Sequence, residues 1–486
     1  MSTQPAELGT DLPTTLTDAA RALREGSVTS AELTEAAIAR ADEVDGQLGI
    51  YLTRFDDLAR ESAARADADL AAGVDRGPLQ GVPFGVKDIL AMAEGPTTAQ
   101  SLVHDPAWGA GRDAPVVARL KAAGAVITGK VTTMEFAVGM VDPAKPFPVP
   151  RNPWDPRTWP GGSSSGTGNG VAAGAFLAGL GTDTAGSIRI PAAFCGVTGL
   201  MPTFGRVPKS GCVPLGYSLD HVGPLARSAE DCASVLKVIA GYHASDPDCV
   251  DRPLNLGDLG ELDGLGGALD GVRIGVDRVH HFPDSADPAL AGAFEAMLDV
   301  LSGLGATVVE VVLPYWDEML SANLVTMCCE ALAYHRNDLA GRWADYFAST
   351  RSTIARGALV SGADYVQAQR VRRVAQNALA RLLTDVDVVA APTTAIGAPA
   401  YNDLGDEGGR LDVEAMFGHI FTPYWDCVGN PVLAAPLGFT ATGLPLSVQF
   451  AGRPFDEAGI LQVGAAFQRS TDWHLRTPTR TETLAA

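Results

Sequence analysis

Short apolar runs that alternate with helical patterns constrain the fold of this chain more than any other feature of its sequence. The runs are bounded by glycine and are short enough to be buried strands. They cover residues 82–90, 125–129, 272–276, 307–313, 386–391, 432–435 and 446–450. Helical patterns at 115–123, 288–304 and 458–468 lie between several of them. We therefore predict a layered α/β protein in which helices cover a mostly buried sheet.

The N-terminal part has a helical pattern over about residues 12–70. Thr17 is positioned to cap a helix that ends near Gly26. Thr29 and Glu32 form a capping-box pattern that opens a second helix over 33–44.

Nothing in the sequence divides the chain into separate domains. Of its 486 residues, 46% are hydrophobic and 19% are charged, which is enough to bury a large core. No period of about 20 to 50 residues repeats, so solenoids and propellers are excluded. The segment 245–269 is rich in Gly, Asp and Leu and is typical of a long surface connection. We predict one domain over 1–486.

Charge and cysteine usage exclude several classes of function. The formal net charge of −21 argues against nucleic acid or an anionic membrane surface as a partner. Residues 1–11 show no basic patch followed by an apolar run, so we expect a cytoplasmic protein. Seven scattered cysteines do not form a disulfide framework, and neither CxxC nor HExxH occurs. We therefore expect no metal and no other cofactor.

A glycine- and serine-rich stretch over 161–170 is the most unusual segment. It continues into a run of mostly small residues over 171–180 and then into Gly181 to Pro191. A flexible linker shares the Gly and Ser content, but it would not continue into an Ala, Leu and Val run that has to be packed. We predict that the stretch is ordered.

Three generic motifs in the sequence lack their required context. Residues 162–166 match G-x-S-x-G around Ser164, but a proline-rich polar segment precedes them in place of a strand. Residues 124–130 match the first part of a P-loop, but Val131 follows the lysine and the pattern is that of a strand. Residues 234–237 match S-x-x-K inside an apolar-periodic helix. We interpret all three as structural.

Hydrolysis of an amide requires a nucleophile, a base and donors for the oxyanion. Serines of the glycine-rich stretch supply candidate nucleophiles, and glycines such as Gly186 let backbone N–H groups approach a substrate. Among the histidines, only His221 lies in a comparable stretch. Lys87 is the stronger candidate base because it lies inside an apolar strand pattern, where burial would keep it neutral. The alternative is a strand-end lysine that reaches water or pairs with Asp88.

Several blocks, which share their order along the chain with the amidase signature family, together resemble that family from about residue 16 to 468. The lysine block is Gly81-Val82-Pro83-Phe84-Gly85-Val86-Lys87-Asp88, and the serine blocks are Pro160-Gly161-Gly162-Ser163-Ser164 and 181–200. Further blocks are Arg151-Asn152-Pro153-Trp154, 218–231, Ala391-Pro392-Thr393-Thr394 and 443–449. The resemblance implies a mixed central sheet with helices on both sides.

The resemblance also assigns catalytic roles. It implies that Ser187 attacks the carbonyl and that Ser163, after a cis peptide bond from Gly162, relays the proton to a neutral Lys87. It further implies an oxyanion hole of backbone N–H groups from Thr184, Ala185, Gly186 and Ser187. Ser165 and Ala185 stand where the family usually has glycine, which narrows the space beside the acyl site.

Other polar and aromatic residues are candidates for the surroundings of the site. Asp183 and Arg189 flank the nucleophile and either brace its loop or form an ordinary structural pair. The region 314–385 is expected to cover the substrate. Candidate substrate-binding residues are Met140, Ser164, Tyr315, Trp316 and Met319. For each of the apolar and aromatic ones, core packing is the competing interpretation.

The expected activity is hydrolysis of small hydrophobic or aryl amides, with esters and carbamates (urethanes) as further substrates. One alternative is a glutamine-hydrolysing amidotransferase subunit, although 351–368 lacks the basic segment of that branch. A second alternative is a non-catalytic scaffold of the same fold, against which the intact Lys87, Ser163 and Ser187 argue. The sequence leaves open whether the protein is a homodimer.

Overall fold

The computed structural model describes residues 12–257, 268–404 and 417–478. Within these ranges eleven strands form one sheet in the order β1-β3-β2-β4-β6-β5-β10-β11-β9-β7-β8. The strands are β1 Tyr51–Arg54, β2 Pro83–Lys87, β3 Val126–Val131, β4 Ala178–Asp183, β5 Thr198–Met201, β6 His221–Ala226, β7 Arg273–Val276, β8 Thr307–Glu310, β9 Val388–Pro392, β10 Val432–Phe439 and β11 Pro445–Ala451.

The sheet is mixed, as the family resemblance implies. Strand β2 runs parallel to both β3 and β4, and β7 runs parallel to β8 and β9, whereas the remaining pairs are antiparallel. Each of the seven predicted apolar runs overlaps a strand, although the runs 82–90 and 307–313 are strands only as far as Lys87 and Glu310.

Helices connect and cover these strands. They are α1 Leu16–Glu25, α2 Ser30–Leu48, α3 Asp56–Ala71, α4 Pro115–Ala122, α5 Ser165–Ala173, α6 Arg189–Cys195, α7 Ala229–Ile239, α8 Pro288–Gly303, α9 Trp316–Arg342, α10 Ala348–Ala355, α11 Gly362–Leu382, α12 Pro423–Val428 and α13 Glu457–Arg469. None of the helices in the described ranges is long and apolar enough to cross a membrane.

Of the two predicted N-terminal helix caps, the structure has one and differs at the other. Thr29 and Glu32 form the predicted capping box at the start of α2. Helix α1, however, is capped by Thr15 and not by Thr17. The Thr17 hydroxyl donates instead to the Asp231 carboxylate of α7 at 2.8 Å, so it joins α1 to another helix. The predicted connection 245–269 has no helix or strand in its described part, and 258–267 lie outside the described residues.

Apolar side chains cover both faces of the sheet. Along β10, Leu433 and Ala435 enter the largest apolar cluster, which also contains side chains of α7, α8 and α13. The alternate residues Val432 and Ala434 enter clusters with α9, α11 and α12 or with α5 and α6. Because successive strand side chains point to opposite faces, helices lie on both sides of the sheet, as the resemblance implies.

Candidate active site

Lys87 lies at the C-terminal end of β2, beside the parallel strand β4. Its side chain is fully buried. Its Nζ lies 2.7 Å from the Ser163 Oγ, 3.0 Å from the Ser164 Oγ and 2.8 Å from the Thr182 Oγ1. Among the described residues, the predicted lysine thus meets three hydroxyl groups and no carboxylate, and it is not paired with Asp88.

Burial lowers the pKa of Lys87 to about 7, because the charged amine loses the solvation of water. Negative groups around it, of which Asp183 and Asp220 are the carboxylates, partly oppose this shift of the pKa. At neutral pH a large share of the amine is therefore unprotonated and has a lone pair that can accept a proton.

Ser163 and Ser164 follow the Gly162–Ser163 peptide bond, which is cis. Ser164 is fully buried, and its hydroxyl donates to the Thr182 carbonyl oxygen at 3.2 Å. It therefore contacts Lys87 without lining the cavity. Ser163, by contrast, lies between the Lys87 amine and an open cavity.

Ser187 lies on the loop that leads from β4 into α6, and it lines the same cavity as Ser163. About 9% of Ser187 is exposed, against 1% of Ser163. The cavity lining is otherwise largely apolar. We call this cavity the serine cavity. Its lining comprises Met134, Ala137, Val138, Gly139, Trp159, Gly162, Ser163, Thr184, Ala185, Ser187, Ile190, Leu215, Leu324, Met327, Thr353 and Phe417.

The backbone of this loop presents unpaired donors. Within the described part of the chain, the N–H groups of Thr184, Ala185 and Ser187 have no hydrogen-bond partner. The Gly186 N–H differs because it donates to the Asp183 carboxylate. Of the four donors implied by the resemblance, three are free for a ligand and one is already used to shape the loop.

A buried charge network supports the loop. The Arg189 guanidinium pairs with Asp183 at 2.9 Å and with Asp426, and it donates to the Thr422 carbonyl oxygen at 3.0 Å. Burial raises the pKa of Asp183, but the Arg189 charge outweighs this effect and the resulting pKa is about 2. Burial and the charge of Asp183 raise the pKa of Asp426 well above its usual value. Asp183 is therefore the ionised partner of Arg189.

Gly186 has a φ of +124°, and the Thr422 hydroxyl donates to the Ala185 carbonyl oxygen at 2.7 Å. A Cβ atom on Gly186 would overlap the Thr422 side chain. The loop therefore requires glycine at this position both for its backbone conformation and for its close packing.

Two other candidates lie outside the cavity. His221 is buried on β6 and its Nδ1 is 3.4 Å from the Asp183 carbonyl oxygen; burial lowers its pKa to about 4. Lys130, the lysine of the P-loop-like match, lies on β3 and pairs with Asp88 at 2.8 Å. Both are core residues here, in agreement with the structural interpretation of the P-loop match.

None of the five candidate substrate-binding residues lines the serine cavity. Trp316 and Met319 are packed in an apolar core cluster, where Trp316 stacks on Tyr424 at 5.3 Å between ring centroids. Tyr315 is 44% exposed at the start of α9. Met140 lines a separate, wider cavity, and Ser164 is sealed behind Lys87. For Trp316 and Met319, core packing is thus the better explanation.

Sequence reasoning missed three residues that support the site without lining the cavity. Thr182 contacts Lys87, Asp220 accepts the Thr184 hydroxyl at 2.7 Å, and Asp426 pairs with Arg189. Thr182 and Asp220 lie inside blocks that carry the family resemblance, and these blocks were the signal by which both residues could have been predicted. No such block contains Asp426. Across the described residues, no group of three or more His, Cys, Asp or Glu side chains is arranged to hold a metal ion.

Comparisons with known proteins find similarity over almost the whole chain. A family model described as Amidase matches residues 32–461. An amidase of Pseudomonas putida is 39% identical over 470 residues, which cover 96% of this chain and 97% of that protein. One subunit of the glutamyl-tRNA(Gln) amidotransferase of Roseiflexus sp. (strain RS-1) is 40% identical over 490 residues, which cover 96% of this chain and 98% of that protein.

A solved structure shares the fold. It is described as part of a vestigial protein complex that reveals the origins of an s-triazine catabolic enzyme. It superposes with a TM-score of 0.85 at 34% identity and covers 94% of this chain and 98% of that one.

Proposed function

Because this chain belongs to the amidase signature family and is therefore a hydrolase acting on C–N bonds of amides, we propose that it cleaves small hydrophobic or aryl amides through an acyl-enzyme on Ser187. The observation that carries the proposal is the fully buried Lys87 amine in contact with Ser163, at the edge of a cavity that Ser187 also lines.

In the proposed mechanism, Ser187 attacks the substrate carbonyl carbon while its proton passes to the Ser163 Oγ. The Ser163 proton passes to the neutral Lys87 Nζ, 2.7 Å away. The tetrahedral intermediate collapses when Ser163 donates a proton to the amine nitrogen and regains one from Lys87, so that the C–N bond breaks. Water then attacks the acyl-enzyme by the same relay and releases the acid and Ser187.

The developing oxyanion is stabilised by the free N–H groups of Thr184, Ala185 and Ser187. The Gly186 N–H contributes indirectly, because its bond to Asp183 fixes the loop that carries the three donors. Fixed donors of this kind stabilise the transition state without reorganising during the reaction.

The cavity lining favours an uncharged substrate. Its described residues include no Asp, Glu, Lys or Arg. An ion buried there would lose its hydration without gaining a counter-charge, which is unfavourable. The preferred substrates are therefore neutral amides with apolar or aryl groups. Aryl esters and aryl carbamates also carry a carbonyl group open to attack, and their aryloxide is a better leaving group than an amine. We propose both as further substrates.

The second candidate is a glutamine-hydrolysing amidotransferase subunit, which the 40% identity to the Roseiflexus protein favours. Free glutamine carries an ammonium and a carboxylate group at neutral pH, and the described lining of the serine cavity offers neither of them a counter-charge. This chemistry makes the amidase activity the better-supported proposal.

A substrate panel tests the proposal. Wild-type protein is assayed for kcat/KM on 4-nitroanilides, aryl esters, aryl carbamates and glutamine, and mass spectrometry locates the acyl adduct. We expect turnover of the anilides, little of glutamine and an adduct on Ser187. A preference for glutamine, or an adduct on another residue, would overturn the proposal.

Two serine variants complete the test. Ser187→Ala should lower kcat at least about 10³-fold, because it removes the nucleophile. Ser165→Ala is the matched control. Contrary to the expectation that Ser165 narrows the space beside the acyl site, its hydroxyl donates to the Gly161 carbonyl oxygen at 2.7 Å and Ser165 does not line the cavity. Its kcat should stay within about threefold of wild type. Equal activity of Ser187→Ala and Ser165→Ala would refute the nucleophile assignment.

A further inference from the structure

Among the described side chains that line the serine cavity, only Thr353 has an accessible polar group that neither takes part in the proposed reaction nor makes a hydrogen bond. It lies on α10 and is 8% exposed. The other hydroxyls of the lining are either reacting groups, Ser163 and Ser187, or engaged, since Thr184 donates to Asp220. Within the described residues the Thr353 Oγ1 has no hydrogen-bond partner.

The remaining side-chain N–H group of the lining, that of Trp159, is buried. The Trp159 indole Nε1 is also unpaired, but it is completely buried. The Thr353 Oγ1 is absent from the fully buried, unpaired atoms of the described residues and so keeps accessible surface. The Trp159 nitrogen is therefore closed to a ligand, whereas Thr353 lines the cavity and its hydroxyl keeps accessible surface.

Hydrogen bonds hold helix α10 against the segment 134–140, of which Met134, Ala137, Val138 and Gly139 line the cavity. The Thr350 hydroxyl donates to the Val138 carbonyl oxygen at 3.0 Å, and the Met140 N–H donates to the Ser349 Oγ at 2.8 Å. The Phe347 N–H, just before the helix, donates to the Glu135 carboxylate at 2.7 Å. These bonds fix the position of Thr353, so its hydroxyl is presented at a defined place.

The lining residues differ in exposure. Leu324 is 37% exposed, the most of the described lining, whereas Thr353 is 8% exposed. The amine departs while the acyl group stays bound to Ser187 until water releases it, so we assign the amine to the side of Leu324 and the acyl group to the side of Thr353.

We propose that Thr353 is a specificity-determining residue that hydrogen-bonds an uncharged polar atom in the acyl part of the substrate. The inference rests on the proposed function and narrows its substrate class to acyl groups that carry a second polar function, such as an ether, ketone or amide oxygen. A purely apolar acyl chain displaces water from the Thr353 hydroxyl without replacing its hydrogen bond. An acceptor at the right distance from the scissile carbonyl replaces it.

The test compares two isosteric substrates, the 4-nitroanilides of 4-methoxybutanoic acid and of hexanoic acid, which differ by one oxygen in place of a methylene. Wild type should prefer the methoxy substrate in kcat/KM. Thr353→Val removes the hydroxyl at nearly constant shape and should lower that preference about three- to tenfold. Thr353→Ser, which keeps a hydroxyl, should retain most of it.

Two controls separate this inference from its alternatives. Ser352→Ala removes a hydroxyl from the exposed side of the same helix and should leave the preference unchanged. The 4-methoxyanilide and 4-ethylanilide of hexanoic acid place the same exchange in the leaving group, and their ratio should not respond to Thr353→Val. An equal effect of Thr353→Val on both acyl substrates, or an effect only on the leaving-group pair, would overturn the inference. Failure of wild type to cleave any anilide would instead refute the proposed function.

Discussion

The amine of Lys87 sets the pH response of the site. Its pKa is about 7 in the folded protein, so the amine is protonated below pH 7 and cannot accept the Ser163 proton. We therefore expect kcat/KM on a neutral anilide to rise with pH along a limb whose apparent pKa is near 7, and to level off above pH 8. The measurement is a pH–rate profile between pH 5 and 9.

Glu135 requires a control in this experiment, because burial raises its pKa to about 7 as well. The Glu135→Gln variant removes that titration and keeps Lys87. The rising limb should persist in the variant. A profile that is flat from pH 5 to 9 in wild type, or a limb that vanishes with Glu135→Gln, would contradict the role of Lys87 as the base.

The two carboxylates that face Arg189 should respond differently to the same change. Asp183, with a pKa of about 2, is the ionised partner of Arg189 and accepts the Gly186 N–H. Asp183→Asn leaves the buried guanidinium with Asp426 alone, and burial still opposes the ionisation of Asp426. We therefore expect it to lower the free energy of unfolding by about 3–5 kcal/mol. Asp426 has a strongly raised pKa, so asparagine resembles its protonated form. Asp426→Asn should cost only about 1 kcal/mol.

Urea unfolding of both variants at pH 7 measures these costs. The comparison is matched because each substitution changes one carboxylate to an amide of the same shape. A larger loss for Asp426→Asn than for Asp183→Asn would show that the charge is placed the other way round. His221, whose Nδ1 lies 4.0 Å from Asp426, stays in both variants.

Among the elements, Glu135 joins the segment 134–140 to the start of α10. The Ser101 hydroxyl donates to Glu135 at 2.6 Å, and the Phe347 N–H donates to its other oxygen. The pKa of Glu135 is raised from its unfolded value near 4.5 to about 7, so the folded protein binds the proton more tightly. Its contribution to stability is therefore present below pH 4.5 and is lost as the pH rises to 7.

Glu135→Gln should remove this dependence, because glutamine stays neutral and its amide can serve both partners. Relative to wild type, the free energy of unfolding of the variant should increase between pH 5 and pH 8 by on the order of 1 to 3 kcal/mol. Denaturant unfolding at the two pH values checks this. A difference between variant and wild type that does not change with pH would contradict the buried titration of Glu135.

The elements also show how far the sequence could predict the fold. Apolar runs such as those of β10 and β11 are recognisable because a short, continuous run of apolar residues is typical of a buried strand. Strand β4, with the sequence Ala-Gly-Leu-Gly-Thr-Asp, carries no such pattern, since its glycines make room for neighbours: a Cβ on Gly181 would approach the Ser164 side chain within 3.0 Å. Its identity as a strand follows from tertiary packing and not from local propensity.

The candidate site was predictable to a similar extent. Lys87 stood out as a lysine inside an apolar run, and the family resemblance pointed to Ser163 and Ser187. Of the aromatic candidates at the start of α9, Trp316 packs in the core, and composition does not distinguish such a stack on Tyr424 from a pocket wall. Asp426 lies far along the chain from Arg189, and only the folded structure brings them together.

At the scale of the whole molecule, the net charge of −21 acts against the folded state through self-repulsion. Salt screens repulsion between exposed charges that lie more than about 10 Å apart at 0.1 M. We therefore expect the Tm to rise by a few degrees when NaCl is increased from 20 to 300 mM. Differential scanning calorimetry measures the shift, and a Tm that falls with salt would show that surface ion pairs outweigh the repulsion.

The contacts of Lys87 also bear on how the protein folds. Its three hydroxyl partners lie 76, 77 and 95 residues further along the chain. Closing loops of this length costs conformational entropy that local contacts do not repay, so contacts of such high sequence separation form slowly. During refolding, hydrolytic turnover should appear only after β2 and β4 have paired in register. The onset of turnover can therefore serve as a kinetic reporter of sheet assembly, distinct from early collapse.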